Sequence, residues 1–380
     1  MTLTPPFFHR ASIALFFIAA SALSTGATAQ NNHKNTASKK AATAISTQAP
    51  VSRAKAVEGT TPYSERTDAL QFADDLAWRT GLDADWVMST IGQARLLPRV
   101  PALMLPPVRV SAKNWRAYRS RFIEPIRIRA GVRFWQQHSS ALARAEREYG
   151  VPAEIIVGIL GVETIYGQQM GNFRVLDALA TLSFDFPSAH PRAMERRDFF
   201  RRELEQFLLM AQRHQIDPFE PLGSYAGAMG LPQFMPSSAA SYAVDFDGDG
   251  QINLFASTQD AIGSVANYFI AHGWKTGMAP IYPVEFDPER LDMPTLMAPD
   301  IRPTFTVAEM ASHGALVQGR GAQHVGPLAL IELQNGGDTP SYVAGTENFY
   351  AITRYNWSSY YAMAVIELGR EVAAARAAKR

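Results

Sequence analysis

IIVGILGVETIYG, residues 155–167, is an almost wholly apolar run with one carboxylic acid, Glu163, set inside it. Gly150 ends the periodic stretch before it, and Pro152 opens the next helix. On a helix from Ala153, Glu163 shares a face with Ile156, Ile159 and Leu160. Burying an ionised carboxylate is expensive, so a carboxyl on such a face raises its pKa and holds its proton near neutrality. Two readings stand at this point. Glu163 is a proton donor facing a cleft, or it is a structural acid bonded to a neighbour such as Arg174 or Tyr166.

Helical periodicity dominates on both sides of this run. Leu70, Phe72, Ala73, Leu76 and Ala77 recur at helical spacing between Ser64 and Gly81, and Asp83 caps a second short helix through Ile91. Leu97–Val110 holds four prolines and is expected to be extended or looped. Helical patterns resume over Trp115–Ile123, Val132–Tyr149, Glu154–Ile165, Asp177–Leu182, Arg197–Arg213 and Gln259–Ala271. Asp177 reads as a helix-initiating cap and Asp185 as a turn residue with local hydrogen bonds. Between about Pro280 and Gly345 the texture changes: ALIELQ (329–334) favours a strand, with Gly336-Gly337-Asp338 as a turn. YAITRY (350–355) favours a strand as well, and an amphipathic helix from Ser359 to about Ala377 closes the chain. The fold class is therefore mainly α (α+β), a helical body with a small β-containing insertion.

Composition agrees with a globular protein of two or three subdomains: 380 residues, 47% hydrophobic, 19% charged. The first 29 residues read as a secretory signal peptide, with His9-Arg10, a short apolar stretch from Ala11 to Leu23, and Ala27-Thr28-Ala29 before Gln30. Residues 30–63 read as a disordered basic linker. Residues 1–57 hold six Lys/Arg and no acid, which leaves −5 on the rest of a +1 chain. There is no cysteine, so disulfides, a thiol nucleophile and an N-terminal lipidated cysteine are all excluded. The expectation is a soluble, exported, periplasmic protein without a transmembrane segment after signal cleavage. No basic stripe interleaved with aromatics points to nucleic acid. His190, His214 and His272 are too scattered for zinc, and Ser237-Ser238 lacks the elbow of a serine hydrolase.

SYAGAMGLPQFMPSS (224–238) carries Gly227, Gly230 and Pro232, which make a regular helix unsuitable there. Ser224 and Gln233 beside Met229, Phe234 and Met235 suit a sugar groove, and equally a glycine-rich structural turn. Asp245, Asp247 and Asp249 occupy positions 1, 3 and 5 of an EF-hand-like loop, with Gly250 at 6 and the Gln251 carbonyl at 7. Position 12 is Ala256, so the usual closing glutamate is missing. Ca²⁺ is the expected ion, as a structural group, with a solvated acidic turn as the alternative, and no organic cofactor is expected.

GILGVETIYG, LDALATLSFDFP, SYAGAMGLPQFMPSS, DFDGDGQINL, DAIGSVANYFIAHGW and ITRYNWSSYYAMAV follow one another from Phe72 to Leu368. Together they closely resemble the B-type lytic murein transglycosylases, the membrane-bound lytic transglycosylase B-like family with a lysozyme-like core. The resemblance implies a catalytic domain over 64–368, with an additional helical subdomain, an EF-hand-like loop at 245–260 and the β-containing insertion at about 280–345; 369–380 ends the last helix. It implies cleavage of the MurNAc–GlcNAc β-1,4 bond of peptidoglycan glycan strands to 1,6-anhydromuramoyl products, in wall remodelling or turnover. Glu163 matches the family's sole catalytic acid and base. Ser224, Gln233 and Asn356 match glycan contacts, and Tyr118, Tyr268, Tyr355 and Tyr361 match aromatic residues of the cleft. Arg196 and Arg197 resemble an arginine pair near the muramoyl site, though SAHPRAME (188–195) precedes them as an extra stretch. Asp260 matches the aspartate that closes the metal loop. Leu231-Pro232 replaces the family's usual Tyr-Gly before Gln233. A hydrolytic muramidase and a non-catalytic peptidoglycan-binding protein are the alternatives. A monomer is expected, with cell-wall enzyme complexes as open partners.

Overall fold

The computed structural model describes residues 56–107 and 113–378. The signal peptide and most of the basic linker lie outside these residues. Residues 56–63, assigned above to the linker, are docked: Val57 N–H donates to the Asn172 carbonyl at 2.8 Å, and Tyr63 is buried. The burial of Tyr63 and its bond to Asp185 (2.6 Å) hold this segment, which composition alone could not reveal.

Helix α1 (Thr67–Thr80) stops at Gly81, whose left-handed backbone (φ 72°) lets its N–H reach the Ala77 carbonyl. The Asp83 side chain caps α2 (Ala84–Gln93) by accepting from Trp86 N–H at 2.7 Å. The proline-rich stretch is not wholly extended. It contains one helical turn, α3 (Val100–Leu103), because Pro101 sits where its missing N–H costs nothing. The helix expected over 115–123 is confined to α4 (Trp115–Arg119), and the chain then turns. The single run expected over 132–149 is two helices, α5 (Pro125–Gln137) and α6 (Ser139–Tyr149), since His138 leaves helical geometry (φ −113°, ψ 25°). One aberrant residue does not interrupt an apolar stripe, so periodicity misses the break.

Every residue of α7 (Ala153–Thr164) is buried except Glu154 and Glu163. A helix apolar on all sides has to lie inside the body. It packs against α5, α6, α11 (Thr258–Ala271) and α15 (Ser359–Ala377). The approach to α15 is close because each helix offers a glycine. A Cβ on Gly158 would strike the Val365 carbonyl oxygen, and one on Gly369 the Glu154 carbonyl oxygen.

Strand β1 (Phe173–Arg174) leads into α8 (Val175–Phe184), and α9 (Ala193–Arg213) packs on α8 and on α10 (Pro236–Tyr242). β1 pairs antiparallel with β2 (Leu222–Gly223), directly before Ser224. Asp177 is not the cap of α8. It is buried inside the first turn, accepts from Arg95 N–H at 2.9 Å and faces Arg174 at 3.4 Å. Asp185 makes long-range rather than local bonds, to the Tyr63 hydroxyl and the Arg66 guanidinium (2.9 Å).

The insertion is a four-stranded antiparallel sheet of β3 (Ile281–Phe286), β4 (Ala315–Val317), β5 (Ala329–Asn335) and β6 (Asp338–Gly345), in the order β4-β3-β6-β5. With α12 (Met293–Met297) and α13 (Val307–Ser312) it closes over its own small core of Leu296, Met310, Val317, Leu328 and Leu330. YAITRY is not a strand but the end of α14 (Glu347–Tyr355). The Thr346 side chain caps it, and Phe349 and Ile352 lie buried one turn apart. Packing overrides the strand preference of Ile, Thr and Tyr here.

Candidate active site

Helix α7 ends one residue after Glu163. Ile165 and Tyr166 then take left-handed backbone (φ 50° and 57°), an unusual pair of non-glycine residues. Two anchors hold this turn. Thr164 Oγ1 accepts from Gly167 N–H and donates to the Leu231 carbonyl, both at 3.0 Å, which ties the end of α7 to the 224–236 loop. The Tyr166 ring stacks on Phe134 at 5.0 Å, and its hydroxyl lodges against Gly131 and Gly161, where a Cβ on either would collide with it. Neither neighbour considered above bonds Glu163: the Tyr166 hydroxyl packs against the two glycines without a hydrogen-bond partner among the described residues, and Arg174 faces Asp177.

Glu163 sits deep in the fold yet retains some exposure. Burial pushes its carboxyl up to about 7, and the Tyr361 hydroxyl, donating to Oε1 at 2.5 Å, pulls it partly back. Tyr355 lies parallel to Tyr361, with centroids 6.3 Å apart, and donates to the Pro232 carbonyl at 2.6 Å. Burial raises both phenols well above the ordinary value, and the Glu163 charge raises them further. Tyr118 is pushed up to about 12 by the same two causes, burial first and then the Glu163 charge. Its ring meets Tyr360 edge-on at 5.7 Å, and Trp115 stacks at 6.3 Å behind. Neutral phenols and aromatic faces thus surround one carboxyl group. Among the described residues, no second carboxylate contributes to the shift of Glu163. Asp177 and Asp185 are committed to the partners given above.

The 224–236 loop is pinned by its own backbone. Ser224 Oγ accepts from Ala226 and Ala228 N–H at 3.3 and 3.0 Å, and Gly223 and Phe234 both bridge to Met229. Gln233 is held in left-handed geometry (φ 52°), and its Nε2 donates to the Gly230 and Met170 carbonyls. Its amide oxygen accepts no hydrogen bond among the described residues. Asn356 ends α14, next to Tyr355.

Two predicted site residues stand differently from expectation. Tyr268 is buried, stacks on His272 at 3.9 Å, and gives its hydroxyl to the Arg354 carbonyl at 2.6 Å. It backs Tyr355 (4.8 Å) rather than lining the cleft, because burial of its ring is satisfied within the protein. Tyr361 is also buried, and its hydroxyl meets the acid rather than open solvent. Arg196 and Arg197 lie in the first two turns of α9, with Arg196 buried beside Arg192 and Glu195. Thr164, Tyr360 and the Pro232 carbonyl were not singled out in the sequence. Only the threonine left a signal, as a polar residue within an apolar run.

In the acidic loop the carboxylates of Asp245, Asp247 and Asp249 come within 4.8 Å of one another, all exposed. The N–H groups of Gly250 and Gly248 hold Asp245 below the usual carboxylate range. Three hard oxygen donors on one loop fit a calcium-sized ion, and Gln251 is next along, its N–H given to Asp249. Asp260 does not join them. It is buried and accepts from Phe246 and Asn253 N–H, both at 2.8 Å, so it closes the loop through backbone bonds.

Residues 64–370 match the family described as "Transglycosylase SLT domain". Membrane-bound lytic murein transglycosylase B of Escherichia coli (strain K12) is 43% identical over 331 residues, covering 83% of this chain and 85% of that protein. The crystal structure of soluble lytic transglycosylase SltB1 from Pseudomonas aeruginosa superposes with a TM-score of 0.72 at 43% identity, covering 82% of this chain and 99% of that one. The Escherichia coli lytic transglycosylase Slt35 in complex with calcium gives 0.73 at 43% identity, covering 84% and 96%.

Proposed function

The chain belongs to the transglycosylase SLT-domain family, and from that premise we propose that Glu163 alone supplies the acid and the base of its reaction. The chain is a peptidoglycan lytic transglycosylase, a carbon–oxygen lyase with a lysozyme-like helical core. It cleaves the MurNAc–GlcNAc β-1,4 bond without consuming water.

The observation that carries the mechanism is a single carboxyl at the end of the buried helix α7, hydrogen-bonded by Tyr361, pushed up to about 7 and without a carboxylate partner among the described residues. Protonated Glu163 gives its proton to the glycosidic oxygen as the bond to the anomeric carbon breaks, and the leaving sugar departs as an alcohol. The muramoyl 6-hydroxyl then attacks the anomeric carbon and passes its proton back to Glu163. One carboxyl serves both steps because a nucleophile tethered in the substrate replaces the second carboxylate of ordinary glycosidases. A pKa near the working pH suits a group that must give and recover a proton. The Tyr361 hydroxyl steadies the carboxylate between the steps.

Tyr118, Tyr355, Asn356, Ser224 and Gln233 position the glycan in this reading, with Arg196 and Arg197 toward the muramoyl side. Asp245, Asp247, Asp249 and the Gln251 carbonyl would hold Ca²⁺ as a structural brace, with Asp260 closing the loop beneath. The signal-like N-terminal sequence supports an exported location. No helix among the described residues is long and apolar enough to cross a membrane.

Digestion of purified sacculi followed by mass spectrometry tests this. Anhydro products, one water lighter than hydrolytic ones, are expected from the wild type, with a loss of at least roughly a hundredfold for Glu163→Gln. Reducing muramic acid ends would instead make the protein a muramidase, and undiminished turnover by Glu163→Gln would remove Glu163 from the chemistry.

A further inference from the structure

A groove of about 430 Å³ lies between α2 and the C-terminal end of α9, sharing no residue with the Glu163 site. Trp86 and Phe219 are half-buried in it, and Ser89, Gln93, Gln212 and Gln215 add hydroxyl and amide groups. Gln93 Nε2 donates to Ser89 Oγ and Gln215 Nε2 to the Gln212 carbonyl, each at 2.8 Å. Neither amide oxygen has a partner among the described residues, so both stand as acceptors. Asp217 is the one charged lining residue, and its carboxylate is engaged by Phe219 N–H at 2.9 Å. Arg174, 5.8 Å from the Phe219 ring, is committed to Asp177 and lines no part of the groove.

This chemistry selects among ligands. An anionic ligand finds no cation on the groove wall, and an apolar one would strand its amides. A neutral sugar fits both surfaces, with C–H faces on the rings and hydroxyl or acetamido N–H groups on the amide oxygens. Trp78, 85% exposed, stands at the end of α1, while Trp86 lies in the first turn of α2, so both indoles belong to the tip of one helical hairpin. An indole that exposed adds little to folding. The segment from Phe219 to Ser224 spans at most roughly 18 Å, which keeps the groove within reach of a polymer that enters the cleft.

We propose that the groove between α2 and α9 is a second holding site for neutral N-acetylhexosamine units of the glycan strand, beside the catalytic cleft. The proposal rests on the glycan-cleaving reading above. Glu163→Gln protein, full length and unable to turn over, is titrated with chitotetraose by calorimetry and tryptophan fluorescence. Two sites per chain are expected, falling to one when Trp86→Ala is added. The same fall is expected with Gln93→Ala and Gln212→Ala together, both exposed side chains on ordinary helical backbone, which leave the left-handed Gln215 at the end of α9 untouched. With Glu163 intact, Trp86→Ala is expected to lose roughly tenfold in turnover of intact sacculi and nothing on a short soluble muropeptide. A stoichiometry unchanged by either set of substitutions, or equal losses on polymer and fragment, overturns the proposal. Failure of the glycan-cleaving reading shows separately, as wild-type protein that releases anhydro ends from neither substrate.

Discussion

Glu163 feels two opposed influences, and substitution separates them. Burial raises its pKa, and the hydrogen bond from Tyr361 lowers it. A hydrogen bond to a charged group is worth about 1.5–3 kcal/mol, or roughly one to two pH units. Tyr361→Phe removes only the lowering influence, so the alkaline limb of kcat against pH is expected to move upward by about one unit. Initial rates across that limb check this, and a downward move would mean that Tyr361 acts otherwise. The raised pKa also has a stability sign. Between the ordinary value of 4.5 and about 7, the folded state holds a proton that the unfolded state has released. Stability from this group is therefore complete at low pH and lost as pH rises through that window. Glu163→Gln, which cannot ionise, is expected to be more stable than wild type by about 1–3 kcal/mol near pH 8, after allowance for the solvent that reaches the cleft. The difference should close near pH 4 in parallel thermal melts. The acid itself was legible in the sequence, because a carboxyl in an apolar run is an anomaly. What was not legible is which hydroxyls are already spent. Tyr268 and Tyr361 look alike as letters, and only the fold gives one to a backbone carbonyl and the other to the catalytic carboxyl.

At the level of elements, the geometry of the site is the crossing of α7 and α15, since one carries Glu163 and the other Tyr361. Gly158 and Gly369 allow that crossing by removing the side chains that would hold the helices apart. Gly158→Ala keeps helical backbone but sets a methyl against the Val365 carbonyl, and overpacking of this kind costs about 1–3 kcal/mol. It is expected to lower the melting temperature and to reduce kcat more than it raises KM, because the acid shifts relative to its hydrogen-bond donor. A variant that melts lower with kcat intact would separate the crossing from the chemistry. The two helices were readable for different reasons. Ser359–Ala377 was expected to be amphipathic but is buried without a break from Tyr361 to Ile366 and becomes exposed only toward its end, whereas the α7 run is too apolar to lie outside. α14 was misread because β-branched and aromatic residues serve a buried helix as well as a strand. The division of α5 from α6 rests on the backbone angle of one histidine, which no pattern of apolar residues encodes.

Across the whole molecule, the acidic loop joins α10, which follows the Gln233 loop, to α11, which carries Tyr268 behind Tyr355. The loop is braced from two other sides: Arg144 of α6 lies 4.0 Å from the Phe246 ring centroid and donates to the Phe246 carbonyl at 2.7 Å, and Gly263 of α11 seats that ring. Asp260 holds it from beneath through the N–H groups of Phe246, Asp247 and Asn253. Backbone N–H groups supply all of the bonds to the Asp260 carboxylate. The exposed triad is a different matter, because three carboxylates within 4.8 Å repel one another until a cation relieves them. An ion that binds only the folded chain adds stability by mass action, about 2.7 kcal/mol at a hundredfold excess over its Kd. Calcium is therefore expected to raise the melting temperature of EDTA-treated protein, and Asp247→Asn with Asp249→Asn to abolish that rise. Asp260→Ala should lower the melting temperature with calcium and without it, since unsatisfied N–H groups at the buried base of the loop cost about 1–3 kcal/mol each. Well below the melting temperature, kcat should not depend on calcium, because none of the three aspartates reaches Glu163. If millimolar calcium leaves the melting temperature unmoved, the loop is an acidic turn held by Asp260 alone. If it also changes kcat at low temperature, the loop communicates with the cleft through α11, and Tyr268 is the residue to substitute next.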